Sequence, residues 1–575
     1  MVLIPIAIGS VLFCRMDNYS IAEQLSLLSK LMDIHGENSF KSKSYSSAAF
    51  ALEKLPQEIS SLSKEKIYAV RGIGQSVGDK VVELIETGEL KSLQELIAQT
   101  PEGVLEMMNI KGLGPKKIHT IWKELEINSI EDLRQACMEN RLAVVKGFGE
   151  KTQQKILESI HFQQQNVGSY RYALVEPFVE ALQVKLLNKY PSALLQVTGD
   201  FRRQCEVVNR LEWVTTIEAE DLKKFFGNES TNLISESDNL LEFQADGAIH
   251  LLFHLSDKAN FYEKLFGTTG SEEFMMTWKG QQLDKGSGYH DEEEIFEAAS
   301  MPYIPPYLRE KAGIIEKAKA NSMPDVVQTS DVKGLIHSHS KWSDGSYSLE
   351  EMANALIELG FEYLVISDHS KSAYYANGLS EDKIIQQHKE IDALNNTLAP
   401  FRIFKSIECD ILSDGAMDYS NEVLAGFDLV IASIHSNLDM TEEKAMMRLM
   451  GAITNSYVTI MGHLTGRLLT KRKGYPVDHK AIIDACAEHN KIIEINANPA
   501  RLDMDWRWIE YALEKGLTLS IDPDAHTIEE FAMIKYGVLV AQKGGLTKAQ
   551  NLSSFSRENF ESFLLNRKTL VAQLS

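Results

Sequence analysis

The segment His337–Gly345, "HSHSKWSDG", places two histidines and an Asp-Gly turn directly after the apolar residues "GLI". Taken alone, it fits an ordinary strand end followed by a turn. It fits equally well the first part of a metal site, because imidazole and carboxylate groups are ligands of Zn, Mn and Fe in hydrolytic centres. The remainder of the C-terminal half distinguishes these two interpretations.

From Val332 to the end, short apolar strands alternate with amphipathic helices. This alternation predicts a β/α barrel-like domain, in which chemistry lies at the C-terminal ends of the strands. A single histidine at the end of a strand is more often a hydrogen-bonded core or turn residue than a metal ligand. Nine ligand-type residues, each following an apolar strand, instead predict a metal cluster suited to phosphoester hydrolysis. The nine residues are His337, His339, Asp344, His369, Glu408, His435, His463, Asp524 and His526.

Residues 16 to about 160 have the sequence pattern of a series of short helices, and one sequence motif occurs in them three times. The copies are "VRGIGQSVGDKVVELI", "IKGLGPKKIHTIWKEL" and "VKGFGEKTQQKILESI", with glycine pairs at Gly72/Gly74, Gly112/Gly114 and Gly147/Gly149. Glycine permits a tight turn, and the N–H groups of the helix that follows can hold a phosphate. A single copy would fit a helix cap. Three copies, with Lys116 and Lys117 after the second, favour a helix-hairpin-helix grip on the DNA backbone without base reading.

The bulk composition limits the partners and the compartment. A chain of 575 residues is too long to fold around a single hydrophobic core. The net charge of −22 is opposite in sign to that of a protein that binds DNA through a generally basic surface. Any contact with DNA must therefore come from local structural motifs or from bound metal ions. Five scattered cysteines without a CxxC pair argue against a disulfide framework and indicate a reducing compartment. Residues 1–15 are too short an apolar stretch to span a bilayer and lack a basic region, so we expect an upstream start-site extension.

The order of the motifs resembles that of the bacterial-type X-family DNA polymerases with a C-terminal PHP (polymerase and histidinol phosphatase) domain. The resemblance runs from about residue 16 to the end and includes four segments besides the glycine hairpins and the histidine motifs. These segments are "SKSYSSAAFALEKLP" in a lyase-like domain, "VTGDFRR" at the start of a palm, "TTGSEEF" in a nucleotide-pocket loop and "EEEIFEAASMPYIPPYLRE" in a thumb.

The resemblance implies a multidomain fold. It has α-helical N-terminal helix-hairpin-helix domains, an α/β nucleotidyltransferase-like palm and thumb, and a C-terminal (β/α)7-type distorted barrel. The expected boundaries are 16–90 for the lyase-like domain, 91–162 for a fingers-like domain, 163–260 for the palm, 261–320 for the thumb, 321–331 for a linker and 332–575 for the PHP domain.

The resemblance also implies roles for individual residues. His337, His339, Glu408 and Asp524 would hold one metal ion, and Glu408 would bridge to a second ion held by His435 and His463. Asp344, His369 and His526 would hold a third. Two or three divalent ions (Zn, Mn or Fe) and no organic cofactor are therefore expected. Lys80 falls where lyase-active members keep a Schiff-base lysine, although an ordinary helix-surface lysine fits as well. Arg467 is a candidate for phosphate contact, against the alternative of a solvated arginine.

The palm departs from the family pattern. Nucleotidyl transfer needs clustered carboxylates to hold two Mg²⁺ ions. Here Arg210 and Glu212 occupy the first two aspartate positions, and His250 occupies the third. We expect templated polymerisation to be lost or very weak, unless the alignment is shifted and Asp200 or Glu206 takes over.

These observations predict a DNA-binding metal-dependent phosphoesterase, a 3′-5′ exonuclease in DNA repair. It would act as a cytoplasmic, nucleoid-associated monomer on single-stranded 3′ ends or gapped and nicked DNA, independently of sequence and of membranes. A phosphatase of small metabolites is an alternative against which the hairpin repeat argues. An active gap-filling polymerase and a non-catalytic DNA-binding scaffold are two further alternatives.

Overall fold

The computed structural model describes residues 17–574 except 54, 56, 111, 167, 228–230, 246–248 and 284–285. The expected extension at residues 1–15 lies outside this range. The chain divides into two compact units, residues 1–167 and residues 168–575. Each has its own hydrophobic core and is described by itself.

The first unit is helical. Asp17 begins the first helix by accepting a hydrogen bond from the Ser20 N–H, and Gly36 ends it in the left-handed conformation. Its apolar side chains recur at helical spacing and are fully buried at Ile21, Leu25 and Leu31. A π-helical turn at Thr120–Glu124 extends the seventh helix. The helices are α1 (Asn18–His35), α2 (Ser39–Glu53), α3 (Lys64–Tyr68), α4 (Gln75–Thr87), α5 (Lys91–Gln99), α6 (Glu102–Met107), α7 (Pro115–His119), α8 (Ile130–Met138) and α9 (Gly149–Asn166).

The three glycine hairpins form three equivalent turns in this unit. Gly72, Gly112 and Gly147 all have positive φ, between 88° and 96°. A side chain in this region is strained, so each turn requires glycine at this point. Gly74 and Gly114 are the N-terminal caps of α4 and α7.

The second unit begins with a five-stranded sheet of order β2-β4-β7-β6-β5, in which β4 and β7 run parallel. A helical segment with a core around Trp278 and Phe296 follows it. The elements are β1 (Tyr170–Arg171), α10 (Tyr172–Lys189), β2 (Leu195–Thr198), α11 (Gly199–Arg202), β3 (Val207–Val208), β4 (Arg210–Thr215), α12 (Ala219–Phe226), β5 (Thr231–Ser237), β6 (Leu240–Ala245), β7 (His250–Leu255), α13 (Phe261–Thr269), α14 (Glu272–Gly280), α15 (Glu293–Ala298) and α16 (Gly313–Lys319).

Seven parallel strands then form a nearly closed barrel in sequence order from β8 to β14. A parallel bridge between Ser338 and Ala525 joins its two edges. The last helix places Phe560 and Leu564 in the core cluster that fills the barrel interior. The elements are β8 (Gly334–Ser338), α17 (Leu349–Glu358), β9 (Tyr363–Ile366), α18 (Glu381–Thr397), β10 (Arg402–Asp410), α19 (Asn421–Leu424), β11 (Leu429–Ser433), α20 (Glu442–Thr454), β12 (Ile460–Met461), α21 (His479–Glu488), β13 (Ile492–Asn496), α22 (Ile509–Glu514), β14 (Leu519–Asp522), α23 (Ile534–Lys543) and α24 (Arg557–Leu574).

The predicted fold class is confirmed. The N-terminal unit is helical with helix-hairpin-helix turns, and the C-terminal region is a seven-stranded parallel barrel. The barrel strands are buried on both faces, as expected for parallel strands covered by helices. Their carboxyl ends therefore meet at one mouth, which is where the ligand-type residues lie.

Candidate metal centre

The mouth of the barrel holds several of the ligand-type residues in strained backbone conformations. His337, His463 and Asp524 have φ values of 57°, 22° and 55°. L-residues seldom adopt this region, and such strain concentrates at functional sites. Hydrogen bonds hold the first and last strands together here, since the His339 N–H donates to the Ala525 carbonyl at 2.8 Å.

Glu408, at the end of β10, is the centre of the site. Its side chain is fully buried, and its two oxygens face five imidazole nitrogens. Two ligands of one ion, with bonds of about 2.1 Å, lie roughly 3 to 3.5 Å apart, so these spacings suit metal coordination. The distances to Glu408 are 2.8 Å from His369 Nδ1, 2.9 Å from His463 Nε2, 3.1 Å from His435 Nε2, 3.3 Å from His337 Nε2 and 3.8 Å from His339 Nε2.

A second set of ligand-type residues lies closer to solvent. Asp344 Oδ1 is 3.6 Å from His369 Nε2 and 3.5 Å from His526 Nε2. The side chains of Asp344 and His526 are 21% and 34% exposed, whereas Glu408 is inaccessible. The site therefore opens to solvent on the side of Asp344 and His526.

Gly345 allows this segment to fold back. A Cβ atom at residue 345 would lie 2.0 Å from the carbonyl oxygen of His339, so only glycine fits the turn. Asp368 ties the turn to the end of β9, because it accepts hydrogen bonds from the Ser340 N–H at 2.8 Å and from the Ser343 hydroxyl.

The residues fit a metal cluster. Among the described residues, three groups of side chains can hold an ion: His339, Asp344, His369 and His526; His337, His339 and Asp524; and His369, Glu408 and His435. Buried lone-pair atoms without a hydrogen-bond partner include His337 Nε2, His463 Nδ1 and Glu408 Oε2. Leaving such atoms unsatisfied is costly, and coordination to a cation would satisfy those that face the centre.

The electrostatics agree with this fit. Burial alone would raise the pKa of Glu408, but the surrounding imidazoles of His435, His337 and His369 outweigh it and hold the pKa well below its usual value. Burial would lower the pKa of His435, whereas Glu408 and Asp410 raise it to about 10. The carboxylate therefore stays ionised and attracts positive charge to the centre.

The observed groups share ligands more than the resemblance implies. His339 and His369 each belong to two of the three groups, and His369 lies within reach of Glu408 as well as of Asp344. His463 contacts Glu408, as the implied second ion requires. The structure thus brings all nine residues together, and their division among individual ions stays a prediction.

Two buried carboxylates beside the cluster were not predicted from the sequence. Glu494, in "KIIEINAN", contacts His337 Nδ1 and accepts the His463 N–H at 2.5 Å. Asp410 Oδ1 lies 3.0 Å from His435 Nδ1. Partners of this kind fix which imidazole nitrogen carries the proton, so that Nε2 presents its lone pair to the centre. The available signal for Glu494 was an acidic residue inside an otherwise apolar strand.

The three palm positions that the sequence predicts to lack the family's aspartates also come together. Arg210 and His250 are register partners on β4 and β7, and Glu212 lies on the same strand as Arg210. Glu212 contacts Arg210 Nε and His254 Nε2, each at 2.9 Å, while His250 Nδ1 lies 2.7 Å from Glu242. Burial would raise the pKa of Glu212, but His254 and Arg210 lower it overall.

The two alternative palm carboxylates have partners of their own. Asp200 pairs with Arg203, and Glu206 accepts hydrogen bonds from Trp506 Nε1 and Arg507 Nη1, each at 2.9 Å. All three candidate metal-binding groups among the described residues lie in the barrel, so the palm contributes none.

The remaining predicted site residues have these surroundings. Lys80 Nζ lies 2.6 Å from Glu83, and Lys117 Nζ donates to the Gly112 carbonyl at 3.1 Å, while Lys116 is exposed. Arg467 donates to the carbonyls of Arg501 and Leu502 and lies 2.7 Å from Asp505. Its phosphate contact and the lyase role of Lys80 stay predictions.

Three segments of the chain match known protein domains. A helix-hairpin-helix domain matches residues 16–90, a SAM-like helix-hairpin-helix tandem matches residues 104–161, and a PHP domain matches residues 336–498. In the described part of the chain, every helix is too short or too polar to cross a membrane.

The chain is similar to known DNA polymerases and to proteins named as probable phosphatases. It is 33% identical to the DNA polymerase/3′-5′ exonuclease PolX of Bacillus subtilis, over 96% of this chain and 99% of that protein. A segment covering 20% of each chain is 30% identical to the DNA polymerase lambda of Rattus norvegicus. Another segment is 29% identical to a protein named as a probable phosphatase of Caldanaerobacter subterraneus, over 28% of this chain and 60% of that protein.

Proposed function

Because the chain belongs to the bacterial X-family DNA polymerases that carry a C-terminal PHP domain, we propose that it hydrolyses DNA phosphodiesters as a metal-dependent 3′-5′ exonuclease in DNA repair. Its polymerase-like module binds DNA without extending it. The enzyme acts in the cytoplasm, at the nucleoid, on single-stranded 3′ ends or on gapped and nicked DNA.

The single observation that carries this proposal is the convergence of five imidazoles on the buried carboxylate of Glu408. Divalent ions held by this cluster would supply Lewis-acid stabilisation and an activated water for attack on phosphorus. Other residues of the chain keep the site in the arrangement that this chemistry requires. Glu494 and Asp410 keep His337 and His435 oriented, and the burial of Glu408 excludes bulk water from the centre.

The direction of substrate entry follows from the exposure of the ligands. Asp344 and His526 are partly open to solvent, whereas His337, His339 and Glu408 are inaccessible. A scissile phosphate therefore reaches the Asp344–His526 side first. The hairpin turns of the N-terminal unit supply the sequence-independent backbone contacts that an acidic protein lacks over most of its surface.

The palm supports the other half of the proposal. A guanidinium at Arg210 and an imidazole at His250 stand where the family pattern calls for aspartates, and Glu212 is engaged by Arg210 and His254. A cation at this position repels the two Mg²⁺ ions that nucleotidyl transfer needs. A primer-extension assay tests it: template-dependent extension at a rate typical of a polymerase would overturn this half.

The hydrolytic half is tested with a 5′-labelled single-stranded oligonucleotide and Mn²⁺. We expect His337→Ala and Asp524→Ala to lower the rate at least about 1,000-fold, since several kcal/mol of charge stabilisation are lost. The exposed His489 gives the matched control, because His489→Ala leaves the cluster untouched.

Equal rates for wild type, His337→Ala and Asp524→Ala would refute the assignment of the active site. A wild-type protein that leaves the oligonucleotide intact but hydrolyses a generic phosphomonoester would place the enzyme among phosphatases of small molecules. A protein that binds the oligonucleotide and hydrolyses neither substrate would be a DNA-binding scaffold.

A further inference from the structure

The loop between β9 and α18 presents two large aromatic side chains to solvent. It follows the ligand-type residue His369 and reads "SKSAYYANGL" over residues 370–379. Tyr374 and Tyr375 are 85% and 58% exposed. Their rings contact each other nearly at right angles, with centroids 5.9 Å apart. Single exposed aromatic side chains are common. A pair of exposed aromatic rings in contact with each other beside a candidate active site is a candidate ligand-binding surface.

This loop is held in one shape by its neighbours. A parallel bridge joins Ser370 to Leu379 across its base, and the Ser372 N–H donates to Asp418 at 2.7 Å. A Cβ atom at Gly378 would lie 1.9 Å from the carbonyl oxygen of Ser370, so this close approach requires glycine. The tyrosine pair therefore sits on a fixed support, and a ligand bound there loses little affinity to ordering of the loop.

The loop is also joined to the segment that carries His337, His339 and Asp344. The side chain of Asn377 donates to the carbonyl oxygens of Trp342 and Ser343, at 3.3 and 3.2 Å. These two residues immediately precede Asp344, one of the solvent-facing ligand-type residues. The tyrosine pair is thus attached to the open side of the cluster.

The carboxylates of the cluster act on Tyr375. Partial burial, together with the nearby carboxylates of Asp410, Glu408 and Asp344, raises the pKa of Tyr375 to about 12, and Arg501 opposes this shift. The side chain of Arg501 is 21% exposed and its Nε lies 3.8 Å from Asp524 Oδ2. The mouth therefore carries an aromatic pair on this loop and a guanidinium beside Asp524. These are the group types that hold the base and the phosphate of a nucleotide.

We propose that the Tyr374–Tyr375 pair is a stacking platform for the base of the terminal nucleotide at the 3′ end. This inference rests on the proposed exonuclease function and names its substrate class: a nucleotide that carries a base, of any sequence. Aromatic faces accept every base because each base has a π surface, so the platform adds affinity without sequence preference. It makes the centre favour nucleic-acid ends over phosphoesters that lack a base.

The platform is tested with two 5′-labelled single-stranded oligonucleotides that differ only in the 3′-terminal residue, a nucleotide in one and a base-free tetrahydrofuran residue in the other. We expect the wild type to remove the base-bearing residue with a kcat/KM at least about 10-fold higher, in line with stacking on aromatic side chains. Tyr374→Ala and Tyr375→Ala should bring this ratio close to 1, and Tyr375→Phe should preserve it.

Two controls keep the readout specific. Bound metal, measured by mass spectrometry on each purified variant, should equal that of the wild type, because neither tyrosine belongs to the candidate metal groups. Leu565→Ala should leave the ratio unchanged, since Leu565 is 66% exposed on the last helix, which contacts Arg402, Asp428 and Val458 at the amino-terminal ends of the strands, opposite the mouth.

The outcomes separate the two proposals. If the wild type degrades DNA but removes both terminal residues equally well, the platform is refuted and the exonuclease function stands. If Tyr374→Ala and Tyr375→Ala keep the wild-type ratio with full metal content, the tyrosines are not the platform. If the wild type degrades neither oligonucleotide, the exonuclease function itself fails.

Discussion

Two side-chain clusters of this molecule combine similar residues in opposite ways. In the palm-like sheet, both oxygens of Glu212 and both oxygens of Glu242 have partners, among them Arg210, His254 and His250. In the barrel, one carboxylate faces five imidazoles, and buried nitrogen and oxygen lone pairs stay unpartnered. One-to-one pairing neutralises a cluster and makes it structural. An excess of lone pairs aimed at one point is what a metal centre requires.

The same difference extends around the palm. Arg203 lies 2.8 Å from Glu310 and pairs with Asp200, and the buried Lys543 of α23 lies 2.8 Å from Glu310. Charged groups near the palm thus hold it to the barrel domain. These ion pairs contribute to the packing of the second unit.

The largest expected effect comes from removing matched carboxylates in the two clusters. Glu408→Gln should lower the rate of oligonucleotide hydrolysis about 1,000-fold, because the charge that gathers the ligands is lost. Glu212→Gln should change the rate less than about 2-fold, since Glu212 belongs to none of the candidate metal groups and is paired with Arg210 and His254. Single-turnover assays with Mn²⁺ measure both. Similar losses of rate in the two variants would show that the two clusters do not differ in role and that the palm takes part in catalysis.

A smaller effect concerns the pH dependence of stability at Glu310. Burial would raise the pKa of Glu310, but Lys543 and Arg203 lower it to about 2 from the usual 4.5. Its stabilising contribution is therefore complete above about pH 4.5 and is lost as the pH falls towards 2. At about 1.36 kcal/mol for each pKa unit, the loss amounts to about 3 kcal/mol.

This contribution is measured by chemical denaturation of the metal-free protein between pH 5 and pH 2.5. The wild type should lose more unfolding free energy over this range than Glu310→Gln, which cannot titrate. Parallel curves for the two proteins would show that the pairing around Glu310 does not stabilise the packing of the palm on the barrel.

The smallest effect is expected at the residues that orient the ligands. Glu494→Gln keeps a hydrogen-bond acceptor near His337 but removes the charge, and should weaken metal binding about 10- to 100-fold. Glu242→Gln makes the equivalent change at His250 and should leave metal binding unaltered. Competition with a chromophoric chelator gives both dissociation constants. Unchanged affinity in Glu494→Gln would mean that the carboxylate serves packing alone.

The nine ligand-type residues could be recognised from the sequence because their positions are short-range signals. Each of the nine residues lies just after an apolar strand or in the turn that follows one, and parallel strands bring their carboxyl ends to one mouth. The glycine hairpins were recognisable for a similar reason, since the positive φ of Gly72, Gly112 and Gly147 demands glycine at a fixed place before a helix.

The groups that act through other residues could not be recognised in this way. Glu494 lies 157 positions from His337, and Asp410 lies 25 positions from His435. In the sequence, the segment that contains the exposed Tyr374 and Tyr375 looks like any other polar loop. Only the fold places these two side chains beside the cluster. Nothing in local spacing distinguishes such residues from ordinary core or surface positions.

The sequence by itself determined the helical N-terminal region, the barrel-like C-terminal region, the repeated hairpins and the set of nine ligand-type residues, because period, turn chemistry and strand-end position are local properties of the chain. Only the tertiary structure decided that Glu408 is the point on which five imidazoles converge, that His339 and His369 are shared between groups, and that the palm charges neutralise one another. Those facts depend on distances between residues far apart in sequence. The closure of the barrel sets these distances, and no local pattern encodes them.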